Sequence, residues 1–163
     1  MKTLLLVRHA KSSWKEPGLQ DFERPLLEKG KSRTEKVAIY LRERKVFPDL
    51  IVSSHAVRAF ETAKIFAEVL GYPHHEIQVD GQVYFSGATG LQQVAFGLPD
   101  GKNTVIMVGH NPAITQFANE FLENKIDYMP TSAVVSISFD TAEWKEIPLA
   151  SKKINFVVYP KML

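Results

Sequence analysis

Cysteine is absent from this chain. Disulfides, thiolate nucleophiles and cysteine-built zinc sites are excluded together, and the composition fits a reducing compartment. No apolar run approaches the roughly 20 residues that a bilayer-spanning helix needs. The opening run is cut at Arg8, and no small-residue cleavage site follows it. The expectation is therefore a cytoplasmic protein with no membrane partner. Charge of one sign is not concentrated in any block: Lys and Arg number 20 against 18 Asp and Glu, a net charge of +2. That balance is too small to argue for a nucleic-acid partner. A glycine-rich loop is also missing after the first apolar run, which leaves a flavodoxin-like nucleotide binder unsupported.

What is present describes a globular domain. The chain has 163 residues, 45% of them hydrophobic, enough to bury a core without covalent staples. No internal repeat, low-complexity stretch or linker divides it, so one domain over 1–163 is expected. Residues 3–8 (TLLLVR), 50–53 (LIVS) and 103–109 (NTVIMVG) read as buried strands, and 76–79 (EIQV) as a short one. Helical spacing of apolar residues predicts helices over 28–44 and 56–70. Ser53 and Ser54 are candidate N-caps of the second, and Gly71 is its stop. Further helices are expected over 87–97 and from Asn111-Pro112 to 122, with proline at the first helical position. Strands are expected again over 133–139 and 154–159. Residues 10–25, with Pro17, Gly18 and Pro25, form a loop long enough to suggest a function. The alternation predicts an α/β domain with a mostly parallel sheet.

In such sheets ligands bind beyond the carboxyl ends of the strands. Arg8 and His9 follow the first strand. Ser53, Ser54, His55 and Arg58 follow the second. His110 and Asn111 follow the third. Only five histidines occur in the chain, and His74 and His75 fall in a loop. Taken singly, each residue has an ordinary reading. Arg58 would be a solvated helix residue paired with Glu61, and His55 a helix-start residue. Taken jointly, arginine forks, helix N-termini and imidazoles describe a phosphoryl site with a histidine nucleophile.

The segments "LLLVRHAKS", "RPLLEKG" (24–30), "DLIVSSHAVRAFETA" (49–63), "VIMVGHNP" (105–112) and "MPTSAVVSISF" (129–139) resemble, in order, those of the histidine phosphatase superfamily, specifically its small SixA-type phosphohistidine phosphatase branch. The resemblance implies a three-layer α/β/α sandwich of the phosphoglycerate-mutase-like fold, without a large lid insertion. It implies that His9 is phosphorylated, that Arg8 and Arg58 clamp the phosphoryl oxygens, and that His110 donates to them. Ser12 and Asn111 are weaker candidates for phosphate contact. No metal and no cofactor are implied. Two departures stand out. A carboxylate general acid has no clear counterpart, Asp80 being the nearest by position and reading better as a turn residue. Leu27 stands where a capping residue is usual. The missing acid suits a labile P–N bond better than an alcohol ester, and a short chain with an open site suits a phosphorylated side chain of another protein. The leading expectation is thus a phosphatase for protein phosphohistidine. A phosphatase for a small phosphorylated metabolite is the alternative, and a phosphate-binding module without turnover is a third reading. Thr131 and Ser132 are assigned to a turn.

Overall fold

The computed structural model describes residues 1–14 and 18–163; the expected punctuation at Pro17 lies outside them. Six strands form one sheet in the order β3-β2-β4-β1-β5-β6. They are β1 (Lys2–Arg8), β2 (Leu50–Ser53), β3 (Gln78–Val79), β4 (Thr104–Gly109), β5 (Val134–Phe139) and β6 (Lys152–Val158). The first four run parallel, while β5 is antiparallel to β1 and to β6.

The unbroken apolar runs are explained by helices on both faces. Along β1, Leu5 and Val7 point into a layer with α1 (Glu28–Glu43) and α2 (Val57–Leu70), which contribute Val37, Leu41, Ala63 and Phe66. Leu4 and Leu6 point into the opposite layer, against Leu91 of α4 (Gly87–Phe96) and Ile114 and Phe117 of α5 (Ala113–Asn119). The alternation of side chains along a strand makes this a three-layer α/β/α sandwich. The segment between β3 and β4 holds only α3 (Gln82–Phe85) and α4, so no large lid is inserted there. No helix among the described residues is long and apolar enough to cross a membrane.

Several local expectations are corrected. Neither Ser53 nor Ser54 caps α2, whose N-cap is Ala56. Pro112 is the N-cap of α5 rather than its first residue, and the helix stops at Asn119, three residues short of 122. There the Asn119 side chain bonds both backbone groups of Ile126 and closes the following loop. The turn α3 and the start of β6 at Lys152 were not legible, because both segments mix polar and apolar residues without a clear period. Gly71 does end α2, in the left-handed region at φ 75° that glycine tolerates. Leu27 sits at the N-cap of α1 with no side-chain capping bond.

Parallel register decides where the polar residues meet. Arg8 pairs with Gly109 and Ser53 with Val108. The next residues along each strand, His9, Ser54 and His110, are therefore neighbours at one end of the sheet.

Candidate active site

At that end lies a cavity of about 610 Å³ whose walls include all six residues expected from the sequence: Arg8, His9, Ser12, Arg58, His110 and Asn111. The structure adds Lys11, Trp14, Asp21, Arg24, Arg33 and Thr131. Five cations thus face one carboxylate in a chain whose net charge is only +2. The positive potential is local, which composition could not reveal.

The His9 ring is almost fully buried. Its Nδ1 lies 2.7 Å from the carbonyl oxygen of Ala10. A carbonyl only accepts, so Nδ1 carries the proton and Nε2 keeps a free lone pair. The Ala10 peptide is itself anchored, its N–H donating to Thr62 Oγ1 at 2.9 Å, while that hydroxyl donates to the carbonyl of Arg58 at 2.7 Å. Burial, helped by the charges of Arg58, Arg8 and Arg24 and opposed by the Ala10 bond, lowers the His9 pKa to about 4. At neutral pH His9 is an uncharged base.

His110 sits with its ring centroid 5.1 Å from that of His9. Its Nε2 is 2.7 Å from Ser54 Oγ, an oxygen that already accepts the Ala56 N–H at 3.0 Å. Among the described residues the hydroxyl proton has no acceptor other than Nε2, which leaves the proton of the neutral ring on Nδ1. Burial, then the neighbouring His9 and Arg58, lower the His110 pKa to about 3. His110 Nδ1 is a buried nitrogen without a hydrogen-bond partner. Ser54 is thus a positioning residue for His110, concealed at the sequence level by its helix-cap context. Ser54→Ala is expected to lower kcat about tenfold with little change in KM, the size of one hydrogen bond. Equal losses in wild type and variant on adding His110→Ala would support this coupling less than a non-additive double-mutant cycle, which is the predicted outcome.

The arginines are placed by three different segments. Arg8 donates from Nη1 to the Met129 carbonyl at 3.0 Å. Arg58, expected to pair with Glu61 if solvated, is instead buried and donates to Asp21: Nη1 to its carbonyl oxygen at 2.7 Å and Nη2 to Oδ2 at 3.0 Å. Arg24 is buried, stacked with its guanidinium carbon 3.3 Å from the centroid of the exposed Trp14 ring. Among the described residues, buried nitrogens without a hydrogen-bond partner are Arg8 Nε, Arg24 Nη1, Arg58 Nε and His110 Nδ1, while Arg24 Nε is held only by an ion pair to Asp21 Oδ1 at 3.3 Å. Buried donors are costly unless they are satisfied. These all belong to cavity-lining residues, and a tetrahedral oxyanion with several acceptors matches such a set.

Asp21 is the carboxylate of the cavity. It follows the 10–14 loop segment in a short 3-10 turn, Asp21–Glu23, and accepts from Tyr84 as well as Arg58. Burial pushes its pKa up, but these hydrogen bonds and the charges of Arg58 and Arg24 outweigh that and hold it below its ordinary value. An ionised, cation-bound carboxylate is a poor proton donor. Asp80 does not line the cavity; its Oδ1 accepts the Gln82 N–H at 2.9 Å, the turn role. Asn111 lines the cavity, yet its side chain is engaged, donating to the Met129 carbonyl at 2.9 Å and accepting from Thr115 at 2.6 Å. Ser12 lines it from a bridge to Leu26. Thr131, assigned to a turn, reaches the cavity, whereas Ser132 serves the turn at φ 63° and donates its N–H to the carbonyls of Arg8 and His9. Asp21, Arg24 and Thr62 were not singled out beforehand, and Ser54 was named only as a strand-end residue and candidate helix cap. Arg24 stood inside "RPLLEKG", and its signal was an arginine in a long loop of functional length. No group of three or more His, Cys, Asp or Glu side chains among the described residues is arranged to hold a metal.

Residues 4–81 match the family model of the histidine phosphatase superfamily, branch 1. An uncharacterized chloroplastic protein of Arabidopsis thaliana is 31% identical over 158 residues, spanning 89% of this chain and 70% of that one. The chain belongs to the histidine phosphatase superfamily. Its fold is that of the protein histidine phosphatase SixA, solved in complex with tungstate, at a TM-score of 0.78 and 20% identity over 98% of both chains. A mycobacterial glucosyl-3-phosphoglycerate phosphatase follows at a TM-score of 0.63 and 16% identity, covering 95% of this chain and 97% of that one. The segment matched by the family model holds β1 and α2 and thus Arg8, His9 and Arg58; His110 lies beyond it and joins them through the register of β4.

The two depressed histidines have a measurable effect on the superfamily site. Free imidazoles titrate near pH 6.5. As pH falls below 6.5, the unfolded chain takes up protons that folded His9 refuses until about pH 4. Stability is therefore full above pH 6.5 and falls as pH drops from 6.5 toward 4. Thermal midpoints across that window are expected to decline more steeply for the wild type than for His9→Gln. Parallel slopes would show that His9 is not held neutral by the fold.

Proposed function

We propose that this protein is a cytoplasmic phosphatase that removes the phosphoryl group from phosphohistidine on another protein, through a covalent phosphohistidine on its own His9. The observation that carries the reading is the His9 ring, held by the Ala10 carbonyl with Nε2 free and its pKa lowered to about 4, amid cavity arginines with unpaired donors.

In the first step His9 Nε2 attacks phosphorus as the bond from phosphorus to the substrate's imidazole nitrogen breaks. That nitrogen keeps the bonding pair and takes a proton from water. Phosphoryl transfer needs in-line positioning and positive donors more than covalent activation. Arg8, Arg24 and Arg58 and the Nδ1–H of His110 face the charge that spreads over the equatorial oxygens. Water then attacks the phosphorylated His9, releasing orthophosphate and restoring the neutral ring. A carboxylic acid is not required, because an imidazole departs more readily than an alkoxide; Asp21, ionised beside Arg58, supplies no proton.

A second reading is hydrolysis of a small phosphorylated metabolite. The cavity of about 610 Å³ is large enough for one, and a fold relative is named as a glucosyl-3-phosphoglycerate phosphatase. Rates of phosphate release from a phosphohistidine protein, a sugar phosphate and an aryl phosphate separate the two. Faster release from the phosphohistidine protein is expected. Preference for the sugar phosphate would overturn that assignment, and phosphate-dependent binding without release from any donor would leave a binding module.

A further inference from the structure

Beside the catalytic cavity lies a second, open groove of about 850 Å³. The two share Arg33 and Thr131 as walls. Topology puts them on the same rim. Val7 of β1 pairs with Val134, the first residue of β5, and Val134 pairs with Val158, the last residue of β6. The carboxyl end of β6 therefore lies level with Arg8 and His9, two strands away, roughly 10 Å at the usual strand spacing. An extended chain crosses that span in about three residues.

The groove is charged in one sense. Arg33 and Lys36 from α1, Lys125 from the loop after α5, and Lys161 after β6 line it, against one carboxylate, Asp127. Arg33, Lys36 and Lys161 are exposed, and none is in an ion pair among the described residues. Lys125 donates to the carbonyls of Asn119 and Leu122, so its charge stays at the rim. Between the cations are Val157, Tyr159 and Tyr128, which is 63% exposed. Strand β6 is the last in the sheet, with no strand on its outer side among the described residues. Such an edge offers main-chain donors and acceptors that an extended polypeptide can complement.

We propose that this groove docks an acidic stretch of the polypeptide that presents the phosphoryl group, a few residues from the phosphorylated side chain. The inference rests on the reading of the cavity as a protein phosphatase site and adds what it selects. Charge complementarity and continuity with the cavity favour an acidic polypeptide. A nucleic acid is disfavoured by the overall net charge of +2 and by the strand edge, which is complementary to a peptide backbone. The wall between groove and cavity is the 129–131 segment, whose Met129 carbonyl receives Arg8 and Asn111. An occupant of the groove thus lies one residue layer from the phosphate clamp.

The test has a binding arm and a turnover arm. A short fluorescent peptide rich in Asp and Glu, without phosphate, is titrated into the whole protein with orthovanadate present to occupy the catalytic cavity. The same peptide with Asn and Gln is the control. Binding of the acidic peptide alone is expected, weakening with salt and about tenfold or more in Lys36→Glu/Lys161→Glu. Aryl phosphate hydrolysis by that variant should match the wild type, which shows that it is folded. In turnover, a phosphohistidine peptide with acidic flanks should exceed its amide counterpart in kcat/KM about tenfold, and the variant should erase the difference. Unchanged acidic-peptide affinity in the variant overturns the inference, as does competition by a single-stranded oligonucleotide at equal affinity. Groove-dependent peptide binding without phosphohistidine hydrolysis would keep the groove and overturn the assigned substrate.

Discussion

His9→Ala is expected to abolish turnover, by roughly 10⁴-fold or more, the scale seen when a nucleophile is removed. It is also expected to abolish the phosphoenzyme. One hydrogen bond sets the geometry of His9. The Ala10 carbonyl can only accept from His9 Nδ1, so Nε2 keeps the free lone pair and is the nitrogen that the proposed mechanism uses for attack. His110 has Nε2 against Ser54 and its proton on Nδ1, so it lacks the free lone pair of a nucleophile. Rapid alkaline quenching after mixing with a phosphohistidine protein, followed by mass spectrometry, is expected to find phosphate on His9 in the wild type and nowhere in the variant. Orthophosphate affinity should survive, since Arg8, Arg24 and Arg58 remain. Phosphate release by His9→Ala at the wild-type rate would assign the chemistry to direct attack by water and remove the covalent intermediate.

Arg58→Ala is expected to lower kcat by about 10²- to 10³-fold while the protein stays folded. This is the range for losing one charged donor at a transition state. Arg58 is 5% exposed and has an unpaired Nε, so its charge acts where water is scarce. The fold should tolerate the loss. Asp21, its partner, has a side chain 46% exposed and keeps Tyr84 and the nearby Arg24. The Arg58 carbonyl still receives Thr62, which holds the Ala10 peptide and through it His9. Arg58→Lys should recover only part of the loss, because an ammonium offers no planar fork. Steady-state kinetics beside circular dichroism melts would check both claims. Near-normal kcat in folded Arg58→Ala would take Arg58 out of the site.

The periodicities legible in the chain come from burial. Residues 3–8 and 103–109 are apolar because both faces of the central strands are covered, and α2 repeats alanine and phenylalanine where it rests on them. Where burial is partial, as in α3 and β6, the pattern is mixed and the elements were missed or misplaced. The same logic governs the site. Arg8, His9, Arg58, His110 and Asn111 were legible because each breaks or follows an apolar strand at its carboxyl end. Asp21 and Arg24 lie in a loop with no period, and nothing local says which loop residues fold back over a sheet.

By itself, then, the sequence determined the α/β class with its mostly parallel sheet and the strand-end residues, because hydrophobic period and strand polarity are local properties of the chain. It also carried the family. Only the tertiary structure decided the protonation geometry of the two histidines, the diversion of Arg58 from Glu61 to Asp21, and the entry of Arg24 into the cavity. Each depends on a carbonyl, hydroxyl or carboxylate supplied by a distant segment. Hydrogen bonds and ion pairs are short-ranged and directional, so their partners are settled by which elements pack together, not by neighbours along the chain.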